Sequence, residues 1–185
     1  MKQILQNLRN GNTEIVNIPY PSNSNDHVIV ESKTSLISSG TEKMLLDFSK
    51  SSYIGKIRSQ PEKVKQVLDK IKTDGVFSTI EAVNSKLNTL IPLGYCNAGE
   101  VIETGCSEFS IGDRVVSNGP HAEIVKVSKN LCAKIPENVD YETASFTVIS
   151  SIALQAIRLS KPNIGEIFTV YGLGLVGLLC VQILR

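Results

Sequence analysis

Three glycines near the end of the chain, Gly172, Gly174 and Gly177, carry the spacing G-x-G-x-x-G. Residues 166–171 before them are apolar and mostly β-branched or aromatic, which reads as a buried strand. Residues 178–184 after them continue as an apolar helix. In a strand–turn–helix each glycine has a chemical task. Gly172 allows a tight turn, Gly174 lets a pyrophosphate approach the backbone, and Gly177 lets helix and strand pack closely. The N–H groups and dipole at the helix start then hold the phosphates. Gly172, Leu173, Gly174, Leu175, Val176 and Gly177 are therefore the candidate dinucleotide contacts. The plainer alternative is a glycine-rich packing turn.

Few other residues have the types or spacing for chemistry. His121 follows Gly119-Pro120 in a turn before a strand, and imidazole is a side chain that can both take and give a proton. His27 opens a strand and reads as an ordinary solvated or edge histidine. Four cysteines, Cys96, Cys106, Cys132 and Cys180, stand alone without a C-x-x-C pair. That favours free thiols in a reducing cytoplasm over a disulfide framework or a structural zinc lobe. No Ser-His-Asp order and no paired-carboxylate spacing stands out.

The elements that must position these residues follow from pattern. The chain has 185 residues, 42% of them hydrophobic, enough for one core and a partial second unit. A net charge of +1 with interleaved signs argues against a nucleic-acid footprint. The N-terminus is too polar for a signal peptide, and the longest apolar run is glycine-broken and short for a membrane span. Residues 4–8 and 14–18 flank Asn10-Gly11-Asn12 as a hairpin, and 27–36 alternates as a half-buried strand. Residues 38–47 pass into a short helix capped by Ser39 or Thr41. Capping boxes at Ser59–Glu62 and Ser78–Glu81 open two further helices, the first ended by Gly75. Short strands at 100–104, 113–116, 122–127 and 131–135 suggest a small barrel. Asp140 then caps a long helix over 141–159.

This order of elements resembles the medium-chain dehydrogenases/reductases, and local motifs agree. Ser39-Gly-Thr-Glu42 is similar to the family's Cys-Gly-Thr-Asp, and Gly94-Tyr-Cys-Asn-Ala-Gly-Glu-Val101 to its Gly-His-Glu-x-x-Gly-x-Val. Gly112–Val116, Ala122–Val125 and Lys134–Pro136 match as well. The resemblance implies a mainly β GroES-like barrel over 1–138, with a helical insertion at about 55–90. A connecting helix and the first βα unit of a Rossmann fold follow over 139–185. Residues 35–42, 93–96, 117–123 and 130–136 also resemble bacterial bi-domain oxidoreductases that accompany surface-polysaccharide biosynthesis, which implies a sugar or sugar-nucleotide substrate.

The departures from the family concern metal. Ser39, Tyr95 and the neighbourhood of Val148 stand at zinc-ligand positions, and Cys96 occupies the glutamate position, so no zinc is expected. The resemblance gives Thr41 a proton-passing hydroxyl, against a simple helix cap. Tyr95 becomes a hydrogen-bond donor or acid, against a buried aromatic. His121 falls near the cleft, and Cys96 is either a reactive or a packed thiol. The implied protein is a cytoplasmic, zinc-independent, NAD- or NADP-dependent oxidoreductase with a small-molecule substrate and no nucleic-acid or membrane partner. The other reading is a non-catalytic substrate-holding or interaction module. An acidic ribose-binding residue about 20 positions past the glycines has no place here. These residues are thus expected to be the front part of a longer enzyme and inactive alone. Leu178, Leu179, Val181 and Leu184 would lie exposed or against a second copy in a homo-oligomer.

Overall fold

The computed structural model describes residues 1–51, 55 and 61–185. They form two compact bodies: Met1–Gln3 with Asn17–Gly40 and Gly94–Arg185, and Ile4–Val16 with Thr41–Leu93.

The first body is built on a five-stranded antiparallel sheet. Its strands are β3 (His27–Ser35), β5 (Asn97–Thr104), β6 (Arg114–Ser117), β7 (Ile124–Ser128) and β8 (Cys132–Lys134), in the order β7-β3-β5-β6-β8. β3 and β5 are the central pair, with Val30 opposite Val101 and Ser35 opposite Asn97. One face carries Val28, Val30, Val101, Val115, Val125 and Val127 around Phe109. Branched side chains on a pleated surface bury well, and these residues are almost wholly withdrawn from water. A second cluster, Ala98, Val116, Ile135 and Ala144, packs with Val139 and Tyr141.

Helix α4 (Tyr141–Ala144) belongs to that second cluster. The Asp140 carboxylate accepts the Thr143 N–H at 2.6 Å, so the sequence-predicted cap is present. Arg114 lies over the Tyr141 ring at 4.7 Å and donates to the Glu137 and Val139 carbonyls, tying the helix entry to β6. The helix expected to run unbroken to residue 159 is interrupted. α4 ends at Ala144, and α5 (Thr147–Ser160) starts after Ser145 and Phe146. Ser145 Oγ donates to the Glu142 carbonyl at 2.7 Å, supplying a local bond that competes with the helical ladder. Ile149 and Ala153 are the buried positions of α5.

A larger departure concerns 166–171. The sequence predicts a buried strand there, but none forms, and Ile167 and Tyr171 are 96% and 103% exposed. A strand is an element only when its N–H and C=O groups meet a neighbour, and among the described residues no strand pairs with this one. The helix beyond the glycines does form, as α6 (Leu175–Leu184). It packs on α5, with the Cys180 thiol 4.0 Å from the Ala153 carbonyl. None of its residues is fully buried, and Leu178 and Val181 remain 48% and 44% exposed.

The second body holds helices α1 (Ser39–Lys50), α2 (Pro61–Asp74) and α3 (Val76–Asn88), with α1 entering it at Thr41. Its sheet is three-stranded, ordered β2 (Thr13–Asn17), β1 (Lys2–Asn7), β4 (Leu90–Pro92). The Asn10–Asn12 turn joins β1 to β2 as predicted, with the Asn7 N–H bonded to the Asn12 carbonyl at 2.9 Å. β4 was not foreseen; it pairs Leu5 with Pro92. Gln6 donates to Ser49 Oγ at 2.7 Å inside this body. Three helix starts need comment. α1 begins at Ser39, so Thr41 lies within its first turn rather than ahead of it as a cap. α3 begins at Val76, so Ser78 is not a cap, and its Oγ donates back to the Gly75 carbonyl at 3.3 Å. The Ser59–Glu62 capping box begins outside the described residues.

Candidate functional site

The glycine turn has a definite geometry. Gly172 adopts φ +92°, a left-handed conformation costly for a residue with a β-carbon. A Cβ at Gly177 would lie 1.9 Å from the Gly172 carbonyl oxygen, so the turn folds back onto the first turn of α6. A Cβ at Gly174 would meet nothing within 4 Å. Gly174 is also the N-cap of α6 and offers no capping side chain. The first helical bond runs from Leu178 N–H to the Gly174 carbonyl at 2.9 Å, so the N–H groups before it have no partner within the helix. An open backbone face with free donors suits a phosphate group, and the residues fit a pyrophosphate.

The side-chain candidates divide between the bodies. Thr41 is an exposed residue of α1 in the second body. Tyr95, Cys96 and His121 belong to the first. Cys96 is fully buried in the loop before β5, and its carbonyl accepts the Leu36 N–H at 2.9 Å, so it is a packed thiol. Tyr95, its neighbour, is half-buried. His121 is only 7% exposed, and its Nδ1 lies 2.8 Å from Ser35 Oγ at the end of β3. The ring also stands against Gly94, where a Cβ would fall 2.6 Å from the imidazole Cγ. Gly94 has φ +86°. Its lack of a side chain is thus required twice, by the backbone and by the ring.

The loop that carries His121 is fixed at both ends. The Asn118 N–H reaches the Leu131 carbonyl at 3.3 Å, and the Glu123 N–H reaches the Lys2 carbonyl at 3.0 Å. Ser35 and Gly94 escaped the sequence reading as site residues. The only available signal was a hydroxyl closing a half-buried strand and a glycine opening the Gly-Tyr-Cys segment.

Ser39, Tyr95 and Val148 supply no imidazole or thiolate, and Cys96 is enclosed. Burial pushes the Cys132 thiol up to about 12, with nearby Cys106 adding to the effect, so this sulfur stays protonated and is a poor metal ligand. Among the described residues no group of three or more His, Cys, Asp or Glu could hold a metal ion. The residues described do not fit a catalytic zinc.

No protein-family model matches the chain. (R,R)-Butanediol dehydrogenase of Bacillus subtilis is 27% identical across 60% of this chain and 41% of its own. D-Guloside 3-dehydrogenase of Escherichia coli is 26% identical across 50% of this chain and 28% of its own. A solved structure of an alcohol dehydrogenase from Escherichia coli CFT073, bound to NADH, superposes with a TM-score of 0.69 at 18% identity, covering 100% of this chain and 52% of that one. Solved structures of a butanediol dehydrogenase from Bacillus subtilis and a putative zinc-binding dehydrogenase from Clostridium scindens each superpose with a TM-score of 0.68, and the fold of this chain is similar to theirs. The chain spans about half the length, or less, of the proteins it matches. Among the described residues no helix is long and apolar enough to cross a membrane.

Proposed function

We propose that this chain supplies the substrate barrel and the phosphate turn of a zinc-independent, NAD- or NADP-dependent oxidoreductase acting on an alcohol or its carbonyl. The observation that carries the reading is the glycine turn: Gly172 with φ +92°, Gly177 packed on the Gly172 carbonyl, and Gly174 open to a ligand. Gly172, Leu173, Gly174, Leu175, Val176 and Gly177 would hold the pyrophosphate, and the bound dinucleotide would supply the hydride chemistry. The likeness to dehydrogenases supports it.

Oxidising an alcohol also requires its hydroxyl proton to leave, and reducing a carbonyl requires one to arrive. Without zinc, hydrogen-bond donors must stabilise charge developing on that oxygen. Thr41, Tyr95 and His121 are the side chains assigned to this work. A sugar or sugar-nucleotide substrate, as in surface-polysaccharide biosynthesis, is the finer reading; the name of the relative D-guloside 3-dehydrogenase supports its sugar part alone. The test is turnover of NAD⁺ or NADP⁺ with a panel of diols, sugars and sugar nucleotides, using metal-stripped protein. Turnover restored only by added zinc would refute the metal-free part.

A second reading is an interaction module without catalysis, favoured by the exposed apolar groups at Ile164, Ile167, Tyr171 and Leu173. An intact fold with no dinucleotide-linked turnover on any substrate would favour it.

A further inference from the structure

We propose that Ser35 is a positioning residue for His121, forming with Gly94 a mount that lets the imidazole gain and lose a proton without changing its orientation. The inference rests on the oxidoreductase reading and specifies how its proton step is organised.

The chain contains two histidines, and their Nδ1 partners differ chemically. Nδ1 of His27 lies 2.8 Å from the Asn25 carbonyl, with Ser24 Oγ at 3.2 Å. A carbonyl only accepts, so that contact favours one tautomer, with the proton on Nδ1. Nδ1 of His121 meets the Ser35 hydroxyl at 2.8 Å. A hydroxyl both donates and accepts. It can give its hydrogen to a bare Nδ1 or take a hydrogen bond from a protonated one by rotating about its own C–O bond. The orienting bond therefore survives every protonation state of the ring.

The mount itself is rigid. Ser35 pairs with Asn97 across the central ladder, and the next N–H, of Leu36, is bonded to the Cys96 carbonyl. Gly94 stands just before that segment and presents bare backbone to the ring face, with Cγ, Cδ2 and Cε1 each 2.6–2.7 Å from where a methyl would sit. The ring is thus held by its edge and backed on its face, at 7% exposure. A reversible hydride transfer needs such a group. In the proposed oxidation the bound dinucleotide would supply the hydride chemistry, and the hydroxyl proton would have to pass to a group such as the His121 imidazole, which would supply a proton in the reverse direction.

Long-range proton–nitrogen NMR of the imidazoles in the full chain tests the proposal, with His27 as internal reference. In the wild type His27 should keep its proton on Nδ1, and the tautomer ratio of neutral His121 supplies the reference value. Ser35→Ala should shift the His121 tautomer ratio and leave His27 unchanged, whereas Ser35→Thr should retain the wild-type ratio. Gly94→Ala puts a methyl 2.6 Å from the ring at a backbone angle alanine disfavours, so it should displace the His121 ring resonances together with the amides flanking residue 94, an independent check should Ser35→Ala fold poorly. A His121 ratio indifferent to Ser35→Ala, or ring resonances indifferent to Gly94→Ala, would overturn the mount. Because the imidazole itself is read, this failure is distinct from failure of the oxidoreductase reading, which turnover measures.

Discussion

A methyl group placed on Gly177 would fall 1.9 Å from a backbone oxygen, and backbone cannot swing aside as a side chain can. Gly177→Ala should therefore deform the turn, which shows as altered amide shifts across 172–178 in the ligand-free chain; unchanged shifts would disprove the packing role. Tyr95→Phe tests a different residue-scale claim. If its hydroxyl stabilises the reacting oxygen or supplies a proton, the chemical rate should fall by about 10²-fold, with little change in melting temperature. Near-normal turnover would remove Tyr95 from the reaction. Roles that depend on backbone shape were legible at this scale, because glycine spacing reports φ and close approach directly. The Ser35–His121 contact was not, since the residues lie 86 positions apart and nothing local links a strand-end serine to a distant loop.

At the scale of elements, strands whose partners lie in the chain were readable from alternation and turn residues. That holds for the β3–β5 pair and for the hairpin around Gly11. Residues 166–171 have strand composition but no partner among the described residues, and composition alone cannot close a ladder. Amides of 166–171 should therefore exchange with solvent far faster than those of β3 and β5 in a hydrogen-exchange experiment, and equal protection would contradict the structure. Two carboxylates at element boundaries give a pH prediction. The Thr143 N–H holds Asp140 below its ordinary 3.8, and the Lys134 ammonium, followed by the Ser110 N–H, does the same for Asp113. A carboxyl depressed by folding stabilises above its unfolded pKa, and that contribution disappears as pH falls through the folded value. The melting temperature should thus drop as pH is lowered below about 4. Asp140→Asn, which keeps an accepting oxygen, should flatten part of that drop; an unaltered profile would show the carboxylate has no such role.

For the whole molecule, the open backbone at Gly174 is proposed to receive a dinucleotide. The decisive comparison uses the protein as its own cell makes it, wild type against Gly174→Ala. In the ligand-free structure the added methyl meets nothing within 4 Å, and Gly174 has φ −76°, which alanine adopts readily. The fold and melting temperature should therefore be unchanged. If a pyrophosphate approaches that backbone, the methyl obstructs it, and calorimetric titration with NADH and NADPH should show affinity for the preferred dinucleotide weakened at least about tenfold, or about 1.4 kcal/mol. Equal affinity in the two proteins, or no dinucleotide binding by a folded wild type, would contradict the claim.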